Sequence, residues 1–210
     1  MPSRVPPQLA SRLAALVLLA GLGGGAYVAE HETDEALRDE YVRAVAADAT
    51  TSPAVKIAMV MGAHYESSGR HIGAPYIDRN GRGQPLTVCN GVTGVGVVAG
   101  RYYTPADCYQ LERARYIVAE REAARLLPRW TSYDPFVQAT FVDFTWNKGA
   151  QALAGSTMRT KANRGDLKGA CMENPRWNRG TVRGASVVLP GLQLRGESND
   201  EICRNWRVNP

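Results

Sequence analysis

The segment YESSGRHIGAPYIDRNGRGQPLTVCNGVTG, residues 65–94, contains the features that decide both the fold and the chemistry of this chain. Glu66 ends a long apolar run, Asp78 lies in a stretch rich in glycine, proline and asparagine, and Thr87 begins a short β-prone run. Two carboxylates in such unlike surroundings can have well-separated pKa values, so that one donates a proton while the other stays ionised. The hydrolysis of a glycosidic bond requires that division of labour.

The residues around the two carboxylates predict a helix followed by a small antiparallel sheet. Ser52 is a good helix cap and Pro53 a good first helical residue, and the apolar run that follows ends at Glu66. A carboxylate at that end faces the negative pole of the helix dipole, which favours its protonated form. Beyond it, β-prone stretches at 75–77, 86–89 and 95–98 are separated by turns at Asn80-Gly81 and Asn90-Gly91.

The composition of the chain is that of a folded, basic protein. Its 210 residues are 44% hydrophobic and 21% charged, which is ordinary for a globular domain with a proper core. The net charge of +5 favours anionic partners such as the acidic polymers of a bacterial envelope, although it is also compatible with an ordinary basic soluble protein. No dense block of lysine and arginine is present, so a nucleic-acid partner is not predicted.

The chain has four cysteines, and none of them forms a CxxC pair. A zinc ribbon or thioredoxin-like centre is therefore poorly supported, and two disulfides in an oxidising compartment are the better interpretation. Three pairings are possible, and we favour Cys89–Cys108 with Cys171–Cys203 because each joins near neighbours within one lobe.

The N-terminal residues 1–29 have the charge pattern of an export segment. Residues 13–29 are uncharged, arginines precede them and acidic residues follow, so the basic side is expected to stay in the cytoplasm. The segment is weakly hydrophobic because it contains four glycines and many alanines, and its length is at the lower limit for a membrane span. It is either a signal peptide cleaved after Ala26 or an uncleaved anchor that can leave the membrane.

The rest of the chain predicts an α+β fold of two lobes. We expect a helical linker at 30–52, a small β-containing lobe at 53–104, and a bridging helix at 105–127 that begins at Thr104-Pro105. Residues 128–206 are predicted to form a larger all-α lobe, with a basic loop and then a last short helix at 197–206. Its earlier helices have clear caps at Asp134, Ser156 and Asp166.

Over residues 53–206 the chain resembles the phage-type lysozymes of glycoside hydrolase family 24. That family has a helix ending in Glu, then Tyr-x-Asp and Thr-[Ile/Val]-x-x-Gly, followed by a set of short motifs in the helical lobe. The matching elements occur here in the same order: Glu66, Tyr76-Ile77-Asp78, Thr87-Val88-Cys89-Asn90-Gly91, Trp146-Asn147-Lys148-Gly149, Ser156-Thr157, Asn163-Arg164-Gly165-Asp166, Pro175-Arg176-Trp177 and Leu189-Pro190-Gly191-Leu192 with an Arg beyond. The ordered set is more specific than any one motif.

The resemblance implies a lysozyme-like fold and a monomeric muramidase of peptidoglycan that needs no metal or cofactor. By that resemblance Glu66 is the general acid, while Asp78 and Thr87 hold the attacking water of an inverting hydrolysis. The matching positions for substrate binding are Trp146, Asn147, Thr157 and Trp177. The chain departs from the family at Ser67, where a glycine is usual, and in its longer Glu–Asp and Asp–Thr spacings.

The N-terminal segment resembles the signal-arrest-release segments of some phage endolysins. Such enzymes are exported by the host secretion machinery, held inactive on the inner membrane through that segment, and active once released into the periplasm. Some tethered relatives are restrained by a cysteine in the segment, but this chain has none before Cys89. The resemblance therefore implies a conformational restraint here.

Two other functional classes fit parts of the sequence. A cysteine peptidase or amidase could use Cys89 with His64 or His71, and a metal amidase could use the same two histidines. A non-enzymatic wall-binding module would not need the Glu66, Asp78 and Thr87 set. The presence of all three residues favours the enzyme.

Overall fold

The computed structural model describes residues 25–67, 70–79, 83–182 and 184–205, with side chains from residue 34 onward. Most of the predicted export segment 1–29, the predicted turn at Asn80-Gly81 and residue 206 lie outside the described residues. The first described helix, α1, spans Gly25–Ala47. Its Tyr41 and Val45 side chains are buried in the core of the small lobe, so the region predicted as a linker packs onto the domain. Within the described residues, no helix is long and apolar enough to cross a bilayer.

The small lobe is built from helix α2, Pro53–Ser67, and a three-stranded antiparallel sheet. Ser52 caps the helix as predicted, because its Oγ accepts a hydrogen bond from the Val55 amide at 3.2 Å. The strands are β1 (Tyr76–Ile77), β2 (Leu86–Val88) and β3 (Val92–Thr93).

The third strand is not the β-prone stretch at 95–98 but Val92–Thr93, directly after a tight turn. Cys89 and Gly91 both have positive φ angles, 55° and 84°, which reverse the chain within three residues. The disulfide to Cys108 and a 2.8 Å hydrogen bond from the Cys89 amide to the Ile72 carbonyl hold this turn. Val88 consequently pairs with Val92.

Helix α3, Pro105–Leu126, joins the two lobes as the sequence predicts. Thr104 and Asp107 form a capping box, in which each side chain bonds the other residue's backbone amide. The helix stops before Pro128, since the residue preceding a proline is disfavoured in helical conformation.

The larger lobe contains the predicted caps but is not all-α. Asp134, Ser156 and Asp166 each accept a hydrogen bond at a helix start. The helices are α4 (Pro135–Lys148), α5 (Ala150–Ala154), α6 (Thr157–Asn163), α7 (Leu167–Cys171) and α8 (Pro190–Asn205), with 3₁₀ turns at Trp130–Ser132 and Asn174–Arg176.

Two expectations for this lobe were wrong. The predicted basic loop is a β-hairpin of β4 (Arg179–Val182) and β5 (Ala185–Val188), in which Arg179 pairs with Val188. The last helix begins at Pro190 rather than near residue 197. Gly196 lies inside this helix. A Cβ there would lie 2.8 Å from the Asn174 carbonyl oxygen, so the close packing of α8 against the Asn174–Arg176 turn requires glycine at this position.

Both disulfides have the pairing that the sequence favoured. Cys89–Cys108 joins the turn before β3 to α3, and Cys171–Cys203 joins α7 to α8. Each disulfide links two segments of the same lobe. The two lobes have separate cores, each a cluster of buried apolar side chains. Helix α8 is therefore fixed covalently to the large lobe, which matters because it reaches into the cleft.

Candidate active site

An open pocket of about 310 Å³ lies between the two lobes at the end of α2. Its position follows from the fold, because the end of α2, the turn before β3, α3 and the end of α4 meet there. It is lined by Glu66, Asn90, Gly91, Arg115, Trp146 and Asn147. Three of these, Glu66, Trp146 and Asn147, are among the site residues predicted from the sequence.

Glu66 is held by a buried ion-pair network from the last helix. Arg195 on α8 donates from Nη1 to Glu66 Oε1 at 2.5 Å, and from Nε and Nη2 to the two oxygens of Asp143 at 3.0 and 2.7 Å. Asn199 donates to Asp143 at 2.6 Å. Burial alone would lower the pKa of the Arg195 guanidinium, but the carboxylates of Asp143 and Glu66 more than offset this effect and raise it above its ordinary value.

The two oxygens of Glu66 consequently have different surroundings. Oε1 is fixed by Arg195, whereas Oε2 faces Gly91, where a Cβ would lie 3.9 Å away. The Glu66 side chain is 27% exposed, so it remains accessible from the pocket. Glu66 is therefore oriented through Oε1, while Oε2 lies beside the pocket wall at Gly91. From the sequence, only the helix dipole was expected to act on Glu66; the Arg195 guanidinium was not predicted.

Asp78 directly follows β1, and Thr87 lies on the adjacent strand β2. The Asp78 amide and the Thr87 hydroxyl both donate to the Pro85 carbonyl oxygen, at 3.0 and 3.1 Å. Thr87 pairs with Tyr76 across the sheet. Partial burial raises the pKa of Tyr76, and the charges of Asp78 and Glu66 raise it further. Tyr76 therefore lies within the electrostatic reach of both predicted catalytic carboxylates.

Trp146 presents an aromatic wall to the pocket. It stacks on the buried Tyr116 ring with a centroid separation of 4.3 Å and an interplanar angle of 12°. Tyr116 can take this position because residue 62 is glycine: a Cβ there would lie 2.0 Å from the Tyr116 hydroxyl oxygen. The close approach of α2 to α3 thus fixes the orientation of the Trp146 ring.

The other two predicted substrate-binding residues lie elsewhere. Trp177 packs edge-on against Phe144, at 5.0 Å between ring centroids, and lines a cavity of about 20 Å³ behind Arg195. Thr157 is the first residue of α6 and does not line either cavity.

A second carboxylate, Glu112, is completely buried under the pocket. It accepts hydrogen bonds from the Asn90 amide at 3.1 Å, from the Asn90 side chain at 3.0 and 3.2 Å, and from the Tyr41 hydroxyl at 2.5 Å. Burial raises the pKa of Glu112 to about 7, against the opposing effect of these hydrogen bonds.

Glu112 should make the stability of the folded protein fall with rising pH. Its pKa rises from 4.5 in the unfolded chain to about 7 when folded, so the folded state binds the proton more tightly. The resulting stabilisation is full below pH 4.5 and is lost as the pH rises through 7, by about 3 kcal/mol in total. Urea unfolding of the wild type and Glu112→Gln at pH 4.5 and 8 measures it. A wild-type-minus-variant difference that is the same at both pH values would contradict the prediction.

Sequence reasoning missed Arg195, Asp143, Arg115 and Glu112 as site residues. The family motif with an Arg beyond Leu189–Leu192 includes Arg195 but does not indicate its role. Its ion-pair partner Glu66 is 129 residues away in the sequence, and no local pattern predicts that contact. The rival use of Cys89 as a nucleophile is excluded by its disulfide. His71 bonds the Tyr103 carbonyl oxygen at 2.8 Å and His64 packs edge-on against Tyr65, so each has a structural contact.

A two-lobed α+β fold with a long bridging helix and a carboxylate at the interlobe cleft is the architecture of lysozyme-like glycoside hydrolases. Solved structures agree with this fold. The active form of the P1 phage endolysin Lyz aligns over 80% of this chain and 93% of its own, with a TM-score of 0.65 and 18% identity. The muramidase domain of SpmX from Asticaccaulis excentricus aligns over 73% and 96%, with a TM-score of 0.61 and 18% identity.

The Phage lysozyme family model matches residues 72–199, and the chain belongs to that family. The SAR-endolysin of Bacteriophage PS119 is 32% identical over 118 residues, which are 56% of this chain and 67% of that protein. The SAR-endolysin of Enterobacteria phage P21 is 32% identical over 117 residues, with the same coverage. Asp78 and Thr87 lie within the family match, whereas Glu66 precedes it by six residues.

Proposed function

We propose that this protein is an endolysin that hydrolyses the β-1,4 bond between N-acetylmuramic acid and N-acetylglucosamine in peptidoglycan, with inversion, and so releases phage progeny by host lysis. The observation that carries the proposal is the placement of Glu66: one oxygen is anchored by Arg195, the other faces an open interlobe pocket, and the charge of Asp78 acts on the same neighbour, Tyr76. Family membership supports the substrate class.

The proposed mechanism assigns one step to each carboxylate. Protonated Glu66 gives the proton on Oε2 to the glycosidic oxygen as the bond to the anomeric carbon breaks. Asp78 takes a proton from a water molecule that the Thr87 hydroxyl helps to hold, and this water attacks the anomeric carbon from the opposite face of the sugar. Arg195 keeps Glu66 in one orientation throughout, which reduces the entropy lost in reaching the transition state.

The walls of the pocket suit a glycan that carries carboxylates. The Trp146 ring can pack against the apolar face of a sugar, and Asn147 beside it offers an amide donor and acceptor. Arg115 adds a cation to the wall, in keeping with the acidic peptide and lactyl groups of peptidoglycan. No resident metal is part of the proposed chemistry.

We infer that the protein is exported, is first held on the inner membrane, and then acts as a monomer. Two of its relatives are SAR-endolysins, and the uncharged residues 13–29 suit engagement with the host secretion machinery and the inner membrane. The tethered chain is then inactive, and the chain released into the periplasm is active.

The stereochemistry of the product tests the reaction. Purified peptidoglycan strands should release a new reducing end whose first-formed anomer is α, because inversion acts on a β-linkage. Proton NMR during the first minutes distinguishes the anomers before mutarotation. The rate should be the same in excess EDTA. A β product or loss of activity with the chelator would refute the mechanism, and absence of any reducing end would refute the function.

A further inference from the structure

The buried carboxylate of Glu112 contacts the wall of the pocket through Asn90. Within the described residues, three of its four hydrogen bonds come from Asn90, one from the backbone amide and two from the side chain. Asn90 and the adjacent Gly91 both line the pocket, and Gly91 faces Oε2 of Glu66. Glu112 is therefore one residue removed from the surface on which the proposed reaction occurs.

Packing does not explain a charged residue at this position. The Glu112 side chain is inaccessible to solvent, and its surroundings include the apolar core of the small lobe, so an apolar side chain would fill the space at a lower desolvation cost. What an apolar side chain cannot provide is an acceptor for the Asn90 amide. That amide belongs to a turn whose preceding residue, Cys89, has a positive φ and forms no sheet ladder.

The fourth hydrogen bond connects the same carboxylate to the N-terminal helix. The Tyr41 hydroxyl on α1 donates to Oε2, whereas the Asn90 amide donates to Oε1. The two oxygens thus join a residue of the pocket wall to α1, a helix that begins within the predicted export segment.

We propose that Glu112 is a positioning residue: its carboxylate holds the Asn90–Gly91 turn beside Oε2 of Glu66 and ties that turn to α1 through Tyr41. The inference rests on the proposed muramidase function for its effect on catalysis. The structural part, the restraint of Asn90, can be measured without any substrate.

Hydrogen exchange tests the restraint directly. In Glu112→Leu, the Asn90 amide loses its acceptor and should exchange at least about tenfold faster than in the wild type. The Cys89 amide is an internal control, because it bonds the Ile72 carbonyl oxygen and not Glu112, and its rate should change less than about threefold. Equal protection of Asn90 in the wild type and the variant would overturn the proposal.

Kinetics on soluble glycan strands test the effect on catalysis. Glu112→Leu should lower kcat by about tenfold to a hundredfold with little change in KM, because a displaced wall affects the reacting geometry more than binding. Asn90→Ala should lower kcat similarly, and the double variant should be no worse than the poorer single variant if Glu112 acts through Asn90. Additive losses, or an unchanged kcat in a folded Glu112→Leu, would overturn the proposal.

Three further variants separate positioning from general stability. Glu120 on the same helix accepts a 2.6 Å hydrogen bond from Ser52 away from the pocket, so Glu120→Gln should leave kcat unchanged. Tyr41→Phe removes only the bond to α1 and should change kcat less than about threefold, since the Asn90 contacts remain. If Glu112→Leu does not fold, Glu112→Met takes its place in both experiments, because its unbranched side chain is closer in shape to Glu and has no oxygen acceptor for the Asn90 amide. An inactive wild type would refute the proposed function, while exchange at Asn90 would still decide the role of Glu112.

Discussion

Glu66→Gln is expected to lower kcat for peptidoglycan hydrolysis by about 10²–10⁴-fold, the range that a general acid contributes. The substitution keeps the side-chain shape, and its carbonyl oxygen can still accept the hydrogen bond from Arg195. The protein should therefore stay folded, with a thermal midpoint near that of the wild type, and bind glycan strands normally. Turbidity of cell walls and release of reducing ends measure the loss.

A matched control for this variant is Glu122→Gln. Glu122 forms a surface ion pair with Arg125 on the bridging helix and does not line the pocket, so this substitution should not affect hydrolysis. Should Glu66→Gln retain more than a tenth of the wild-type rate, Glu66 would not be the proton donor. If the protein were a non-enzymatic wall-binding module, the wild type itself would show no hydrolysis.

The second large effect is expected from Arg195→Met. Removing the guanidinium leaves the Asp143 carboxylate buried, 1% exposed, and among the described residues only Asn199 then donates a hydrogen bond to it. Breaking a buried pair in this way costs about 3–5 kcal/mol of folding free energy. Activity should also fall, because Glu66 loses the contact that orients it. Chemical denaturation followed by circular dichroism measures the stability change.

Two comparisons identify the cause of that destabilisation. Arg204 on the same helix pairs with Asp200 at the surface, so Arg204→Met should cost at most about 1 kcal/mol. Adding Asp143→Asn to Arg195→Met should recover part of the stability, because the uncompensated charge is then gone. A double variant less stable than Arg195→Met alone would show that the buried charge is not the reason.

Local signals predicted those parts of the fold that depend on neighbouring residues. Ser52-Pro53, Thr104-Pro105 and Asp134 all mark helix starts, because caps satisfy backbone amides within one turn. The hairpin at 179–188 was missed because its strands are short and largely exposed, so no apolar alternation is present. The start of α8 was missed because the predicted helix began after Gly196. That glycine is required by a tertiary contact with Asn174, which the sequence does not indicate.

The sequence predicted those site residues that belong to family motifs. Glu66, Trp146 and Asn147 line the pocket, and the charges of Glu66 and Asp78 both raise the pKa of Tyr76. The roles assigned to Glu66, Asp78 and Thr87 remain predictions. Contacts such as Arg195 with Glu66 and Tyr41 with Glu112 join residues 129 and 71 positions apart, and only the folded chain brings them together.

The dependence of Glu66 on α8 has a consequence for synthesis of the chain. A ribosome that adds about 5–20 residues per second makes Arg195 roughly 6–26 s after Glu66, since 129 positions separate them. During that interval the nascent chain contains the acid but not the guanidinium that orients it. A chain that ends prematurely before Pro190 likewise lacks the whole anchoring helix. The Arg195–Glu66 contact therefore forms only in chains that have been synthesised through α8, so fragments from translation interrupted before that helix lack the anchored carboxyl group.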